Sequence, residues 1–91
     1  MQFMVQWKIV PTDYRAAAET FLRSGAPMPL GLTMLGRWHA PGSGHGWLLC
    51  ETDDLTTLVE HLAQWGEHCD FKTTPVVSDE VTGEGLARVY R

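Results

Sequence analysis

Four histidines are the side chains of this sequence best suited to metal binding or to proton transfer near neutral pH. His39 and His45 flank a glycine-rich segment. A five-residue loop between them would place both on one face of a hairpin, close enough to share a metal or a proton, whereas a four-residue loop would turn them to opposite faces. Even on one face the pair would need a third ligand. We therefore favour two solvent-exposed imidazoles and predict no metal site.

His68 and Cys69 are adjacent, and an imidazolium beside a thiol lowers the pKa of the thiol and makes it a better nucleophile. Neighbouring residues at the start of a strand point in opposite directions, however, so a structural cysteine is the favoured interpretation. Cys50 lies within a predicted strand and is expected in the core. His61, two turns before His68, lies off the apolar stripe of its predicted helix and is expected to face solvent.

Arg37 and Glu51 lie within predicted strands, where charged side chains are rare unless they are paired or used. Arg37 could hold a ligand carboxylate, with Glu51 or His39 as a base. The alternative, which we favour, is that Arg37 and Glu51 form an ion pair, across strands or between subunits, or face water.

Four tryptophans are many for a chain of 91 residues. Trp7 and Trp65 follow the apolar stripes of their elements and are expected to pack in the core. Trp38 and Trp47 could wall a pocket for a flat organic ligand or form a dimer interface, and the interface is the favoured interpretation.

Charge and composition exclude several classes of function. Seven basic and eleven acidic residues give a net charge of −4, and no lysine or arginine cluster favours nucleic acid or anionic membranes. The apolar runs are far shorter than the roughly 20 residues that span a bilayer. Two cysteines without a CxxC motif, in a chain without a recognisable signal peptide, indicate free thiols and a cytoplasmic protein.

The first strand and helix follow from periodicity and turn residues. Alternating apolar residues over 3–9 predict a half-buried strand that Pro11 ends. Thr12 or Asp13 is expected to cap the helix that follows, whose apolar stripe continues until Gly25. Two aromatic-rich strands, 32–39 and 45–52, are then predicted as a hairpin around loop 40–44. Their alternation is irregular, so the register of the hairpin stays open.

The rest of the chain predicts a second helix, a strand and a tail. Asp53 or Asp54 caps a helix that ends at Gly66. Pro75 places the strand 71–77 at a sheet edge, where a missing amide costs least. Residues 79–91 are predicted as a C-terminal arm, with a turn through 82–85 and an extended end that packs on its own or a partner's sheet.

The order β-α-β-β-α-β, with right-handed crossovers, predicts a single ferredoxin-like domain over residues 1–91. In this α+β fold a four-stranded antiparallel sheet carries both helices on one face. The other face needs a cover, and a second copy packed sheet to sheet would supply one. The sequence therefore predicts a homodimer, by analogy with the fold.

Several short segments together resemble one family. They are 3–5 (FMV), 31–38, 51–54 (ETDD), the helix ending at Trp65, 70–71 (DF) and 75–77 (PVV). These segments resemble the bacterial family called domain of unknown function 3303, over most of residues 1–78. The resemblance implies a dimeric α/β barrel, similar to cofactor-free monooxygenases, small isomerases and some haem proteins. It carries over no catalytic residues.

By analogy with these similar proteins, we expect a protein that binds or transforms a small organic molecule without a tightly bound cofactor, in the manner of a monooxygenase or an isomerase. One alternative is a structural or interaction module without catalysis. A second is haem or metal binding through His39, His45 or His68. The candidates for the ligand pocket are Arg37, Trp38, His39, Trp47, Glu51 and His68.

Overall fold

The computed structural model describes residues 1–91, which form four strands and three helices. In chain order these are β1 (Gln2–Lys8), α1 (Pro11–Ser24), β2 (Thr33–His39), β3 (His45–Glu51), α2 (Leu55–Gln64), β4 (Asp70–Val76) and α3 (Asp79–Tyr90). The strands form one antiparallel sheet in the order β2-β3-β1-β4. The first six elements therefore confirm the predicted ferredoxin-like fold.

The pairing of β1 with β3 separates the two faces of the sheet. Phe3, Val5 and Trp7 pair with Cys50, Leu48 and Gly46. These residues lie on the inner face, under the helices, as the alternation in β1 predicted. The core on this face consists of Phe3, Val5, Leu32, Leu48, Cys50 and Leu58. The opposite, outer face carries no helix from the first six elements.

A β-bulge explains the irregular alternation in β2. The pairing with β3 shifts by one residue between Met34 and Gly36, and such a bulge changes which face the following side chains occupy. Beyond the bulge Arg37 and His39 share the inner face, while Trp38 turns outward to pair with Trp47 on β3.

The loop of this hairpin decides where its two histidines lie. The Ala40 N–H donates to the carbonyl oxygen of His45 at 3.0 Å, so these two residues form the last pair and the loop consists of the four residues 41–44. His39 pairs with Gly46 rather than with His45. The four-residue alternative is therefore correct, and the strands direct His39 and His45 to opposite faces.

The ends of α1 differ in how well the sequence predicted them. The expected cap at Thr12 or Asp13 was wrong, because the helix begins at Pro11, after Val10 in extended backbone with no side-chain cap. Proline suits the first turn of a helix, where its missing N–H would have no partner. Gly25 ends α1 with a φ of 72°, the left-handed conformation that glycine adopts without strain.

The predicted cap of α2 and edge position of β4 are both confirmed. The Asp54 carboxylate accepts a hydrogen bond from the Thr56 N–H at 3.0 Å, and α2 ends at Gln64 with Trp65 as its C-cap. Pro75 lies in β4, which has β1 as its only neighbour in the sheet. The missing proline N–H therefore removes no hydrogen bond from the centre of the sheet.

The C-terminal segment is a helix, and the predicted turn and extended arm were wrong. Ser78 caps α3 by accepting a hydrogen bond from the Val81 N–H at 3.3 Å. Gly83 and Gly85, expected in a turn, lie inside the helix, where each costs about 1 kcal/mol relative to alanine without forbidding the conformation. No α3 side chain is buried.

The dimensions of the chain exceed those expected of a compact domain. The radius of gyration is 15.5 Å and the longest extent 53 Å, whereas a compact chain of this length has a radius of gyration of roughly 12 Å. None of the three helices has the length and apolar character needed to cross a bilayer.

Candidate functional site

An apolar pocket of about 350 Å³ lies between the inner face of the sheet and the helices α1 and α2. The loop of the β2–β3 hairpin borders one end. The volume of the pocket falls at the small end of the range of small-molecule sites. Aromatic side chains form much of its wall: Trp7, Tyr14, Phe21, Trp65 and Phe71.

Gly46 leaves space for the Trp7 side chain in this wall. A β-carbon at this position would overlap Cζ2 of Trp7, so the indole of β1 lies flat across the backbone of its β3 partner. His39 meets the Trp7 ring edge-on, with 5.4 Å between centroids, and the Phe21 ring in the same way at 5.5 Å. The inner face of β1 thus supplies both core and pocket wall, and these rings hold one another in place.

Arg37 extends from β2 to the C-terminal end of α1. Its Nη1 donates to the Ala26 carbonyl oxygen at 2.9 Å and its Nη2 to that of Gly25 at 3.1 Å. The guanidinium carbon lies 5.2 Å from the centroid of the Phe21 ring. The end of a helix carries partial negative charge and favours a cation there. Desolvation by burial nevertheless lowers the pKa of Arg37.

No carboxylate balances the charge of Arg37 within the chain. The ion pairs present join the N-terminus to Asp53 and Arg15 to Glu19. Glu51 is exposed and its register places it on the outer face, so the expected ion pair with Arg37 does not form within one chain. Arg37 therefore meets only neutral partners at the pocket.

His61 is buried at the pocket wall, and the prediction that it faces solvent was wrong. Only 5% of the residue is exposed, and its Nδ1 is fully enclosed without a hydrogen-bond partner. Desolvation lowers the pKa of His61, and the positive charge of Arg37 lowers it further. The imidazole is therefore neutral at pH 7. Because Nδ1 is enclosed, a ligand can reach the ring only through Nε2.

A buried threonine explains why α2 presents His61 inward. The Thr57 hydroxyl lies 2.9 Å from the hydroxyl of Thr52 and donates to the Asp54 carbonyl oxygen at 2.7 Å. A satisfied hydroxyl can be buried at little cost. The inner face of α2 therefore includes the polar residues Thr57 and His61, while the apolar Val59 is exposed.

We expect the stability of the protein to decrease as the pH falls below about 7, partly through His61. The pKa of His61 is lower in the folded protein than the ordinary value of 6.5. Between the folded-state pKa and 6.5 the unfolded chain therefore binds more protons than the folded one. As the pH falls through this range, the free energy of unfolding decreases by at most about 1.4 kcal/mol per pH unit. Urea unfolding between pH 5 and 8 should show a smaller loss for His61→Gln. Parallel curves would show that His61 titrates alike in both states, since the other three histidines remain in both proteins.

Cys69 lines the pocket as a neutral thiol. Burial, and secondarily the charge of Asp70, raises its pKa to about 11. A thiol is a weak nucleophile compared with its thiolate, so activation by His68 receives no support. His68 itself packs edge-on against Trp65, with 6.4 Å between ring centroids. The structural interpretation of the cysteine is the one that the geometry favours.

The six residues predicted for the pocket are divided by the sheet. Arg37 and His39 lie at the pocket wall. Trp38, Trp47 and Glu51 lie on the outer face, and His68 is not among the lining residues. His61, Tyr14 and Trp65 also lie at the wall but were not among the predicted candidates, although the apolar stripe of α2 had marked Trp65 as inward-facing.

The chain contains no cluster of three or more histidine, cysteine, aspartate or glutamate side chains that could hold a metal ion. The pair His39 and His45 lacks a third ligand, and its members project from opposite faces of the sheet. What the pocket offers instead is a neutral imidazole and a guanidinium inside aromatic walls. Such an arrangement can bind an organic molecule, orient it by hydrogen bonds and exchange a proton with it.

Comparison with other proteins agrees with the resemblance seen in the sequence. No curated protein matches the chain. Among solved structures, a protein of Deinococcus radiodurans provisionally named an antibiotic biosynthesis monooxygenase is similar, with a TM-score of 0.43 and 9% sequence identity, over 86% of this chain and 94% of that one. Residues 1–90 match the model of the family described as domain of unknown function (DUF3303), and the chain therefore belongs to that family.

Proposed function

We propose that this protein binds a small, largely apolar organic molecule in the pocket between sheet and helices. The observation that carries the proposal is His61, a neutral imidazole with an unpartnered nitrogen at the wall of an apolar cavity. An unsatisfied buried polar atom costs about 1–3 kcal/mol. Nδ1 itself stays enclosed, but a ligand that hydrogen-bonds the ring through Nε2 and fills the cavity gains contacts that compensate for this cost and for the empty volume.

The same imidazole suits chemistry that needs no tightly bound cofactor. A neutral histidine accepts a proton from a ligand carbon or oxygen and returns it to another atom, which is the step of an isomerase. Arg37, which lines the same pocket, stabilises the negative charge that the ligand carries between the two transfers. We therefore place proton transfer ahead of other reactions for this pocket.

The test of binding uses a flat neutral probe and a pocket-filling variant. We expect 1-naphthol to raise the melting temperature and to change the fluorescence of Trp7 and Trp65. In Ala18→Phe the larger side chain occupies the pocket and should weaken binding at least about tenfold, which corresponds to 1.4 kcal/mol. Ala16→Phe, on the exposed side of the same helix, is the matched control. Equal binding to both variants would show that the probe binds elsewhere, and no binding to wild type would reject the proposal.

The outer face of the sheet favours a second role, self-association. Trp38 and Trp47, 54% and 37% exposed, are paired across the strands there. Met4 and Leu49, also paired, extend the apolar surface across β1. We propose that a second copy covers this face to form a homodimer, because exposed aromatic surface of this kind is typical of interfaces. Such a dimer leaves the pocket on the far side of each sheet.

A further inference from the structure

The charge of the pocket is unusual for this chain. The protein carries a net charge of −4 with eleven acidic residues, yet neither aspartate nor glutamate occurs among the residues that line the pocket. Arg37 is the only arginine or lysine among them. The pocket is therefore positive inside a negative protein, and its cation has no anion beside it.

The contacts of Arg37 do not neutralise it. Two of its five N–H groups donate to the carbonyl oxygens at the end of α1, which leaves three donors without a partner in the chain. Carbonyl oxygens supply only partial negative charge. The positive field reaches His61 across the pocket, since Arg37 opposes protonation of that imidazole.

No side chain of the pocket supplies the missing anion near neutral pH. The Cys69 thiol keeps its proton, because burial raises its pKa to about 11. An imidazole such as that of His39 or His61 supplies no negative charge near neutral pH, and the charged groups of α1 and α2 lie outside the pocket. An anion that completes the site must therefore arrive with the ligand.

We propose that the ligand is a small aromatic organic acid bound as its anion, with the negative oxygens held by Arg37. The inference rests on the proposed function and adds the chemical class of the ligand. Charge-assisted hydrogen bonds to a guanidinium are stronger than neutral ones and are shielded from water by the aromatic walls. A neutral ligand of the same shape leaves Arg37 uncompensated.

The experiment compares two probes of the same shape, 1-naphthoate and 1-naphthamide, by isothermal titration calorimetry at pH 7.5. Wild type should bind the carboxylate at least about tenfold more tightly than the amide, which corresponds to 1.4 kcal/mol. Arg37→Gln keeps donors near the end of α1 but removes the charge, so the preference should disappear while the affinity for the amide changes less than about twofold. Arg15→Gln, an exposed arginine on α1, should keep the preference.

The outcomes separate the inference from the function on which it rests. Equal binding of both probes by wild type, with loss of both in Ala18→Phe, would overturn the organic acid and leave the pocket as a ligand site. No binding of either probe would reject both proposals. If Arg37→Gln fails to fold, Arg37→Lys is the deciding variant, because lysine keeps the positive charge without the bidentate geometry of the guanidinium. A preference for the carboxylate that is retained in this variant supports the inference. A preference that is lost in a folded variant contradicts it.

Discussion

Replacement of Gly46 by alanine is expected to destabilise the domain by about 3 kcal/mol and to abolish ligand binding. The new β-carbon would overlap the Trp7 indole, which is half-buried against the core and held by His39. Over-packing of a tight core costs about 1–3 kcal/mol, and displacement of the indole also removes a wall of the pocket. Urea unfolding and titration with 1-naphthol measure the two effects.

Gly36→Ala provides the matched control on the other face. Its β-carbon would overlap the ring of Trp38, but this indole is 54% exposed and can move into solvent. We expect a cost below about 1 kcal/mol and unchanged binding, when both proteins are measured well below the concentration at which copies associate. Equal losses from the two substitutions would show that the strand backbone, and not the Trp7 contact, requires the glycine.

This contrast shows how far the sequence could predict the sheet. Alternation in β1 identified the inner face correctly because both neighbours of β1 pair with it without interruption. The two faces of β2 could not be assigned, because the bulge between Met34 and Gly36 depends on packing, and a glycine within a strand suggests a bulge without fixing its register. That single shift decides that Arg37 enters the pocket and Trp38 does not.

The site was less predictable than the fold for a related reason. His61 enters the pocket because Thr57, a polar residue, finds hydrogen bonds in the loop before α2. A pattern that counts only apolar residues therefore misjudges the inward face of this helix. In α3 the opposite error arises, since Gly83 and Gly85 suggest a turn although the cap at Ser78 starts a helix.

Trp47→Lys is expected to weaken self-association at least about thirtyfold. Loss of a central tryptophan from an interface costs about 2 kcal/mol or more, and the new ammonium group would have to be desolvated between two sheets. Sedimentation velocity over a range of concentrations measures the change. Because Trp47 faces away from the pocket, binding of 1-naphthol by the resulting monomer should be unchanged.

Val59→Lys is the control for the added charge. Val59 lies on the outward side of α2 and is 65% exposed, so this lysine remains solvated and should leave association unaltered. A wild-type protein that sediments as a monomer at tens of micromolar would contradict the dimer through the outer face. Equal weakening by both lysines would indicate that net charge, rather than the tryptophan surface, controls association.

The central position of β1 also determines how the chain folds. Phe3, near the start of the sequence, pairs with Cys50 on one side and with Pro75 on the other. The hairpin of β2 and β3 can close early because its strands are neighbours in sequence, but both pairings of β1 require long loops to close. We therefore expect these long-range closures to limit the rate of folding. During synthesis the apolar side of β1 stays exposed until nearly the whole chain has been made, which makes this strand the segment most in need of protection from aggregation.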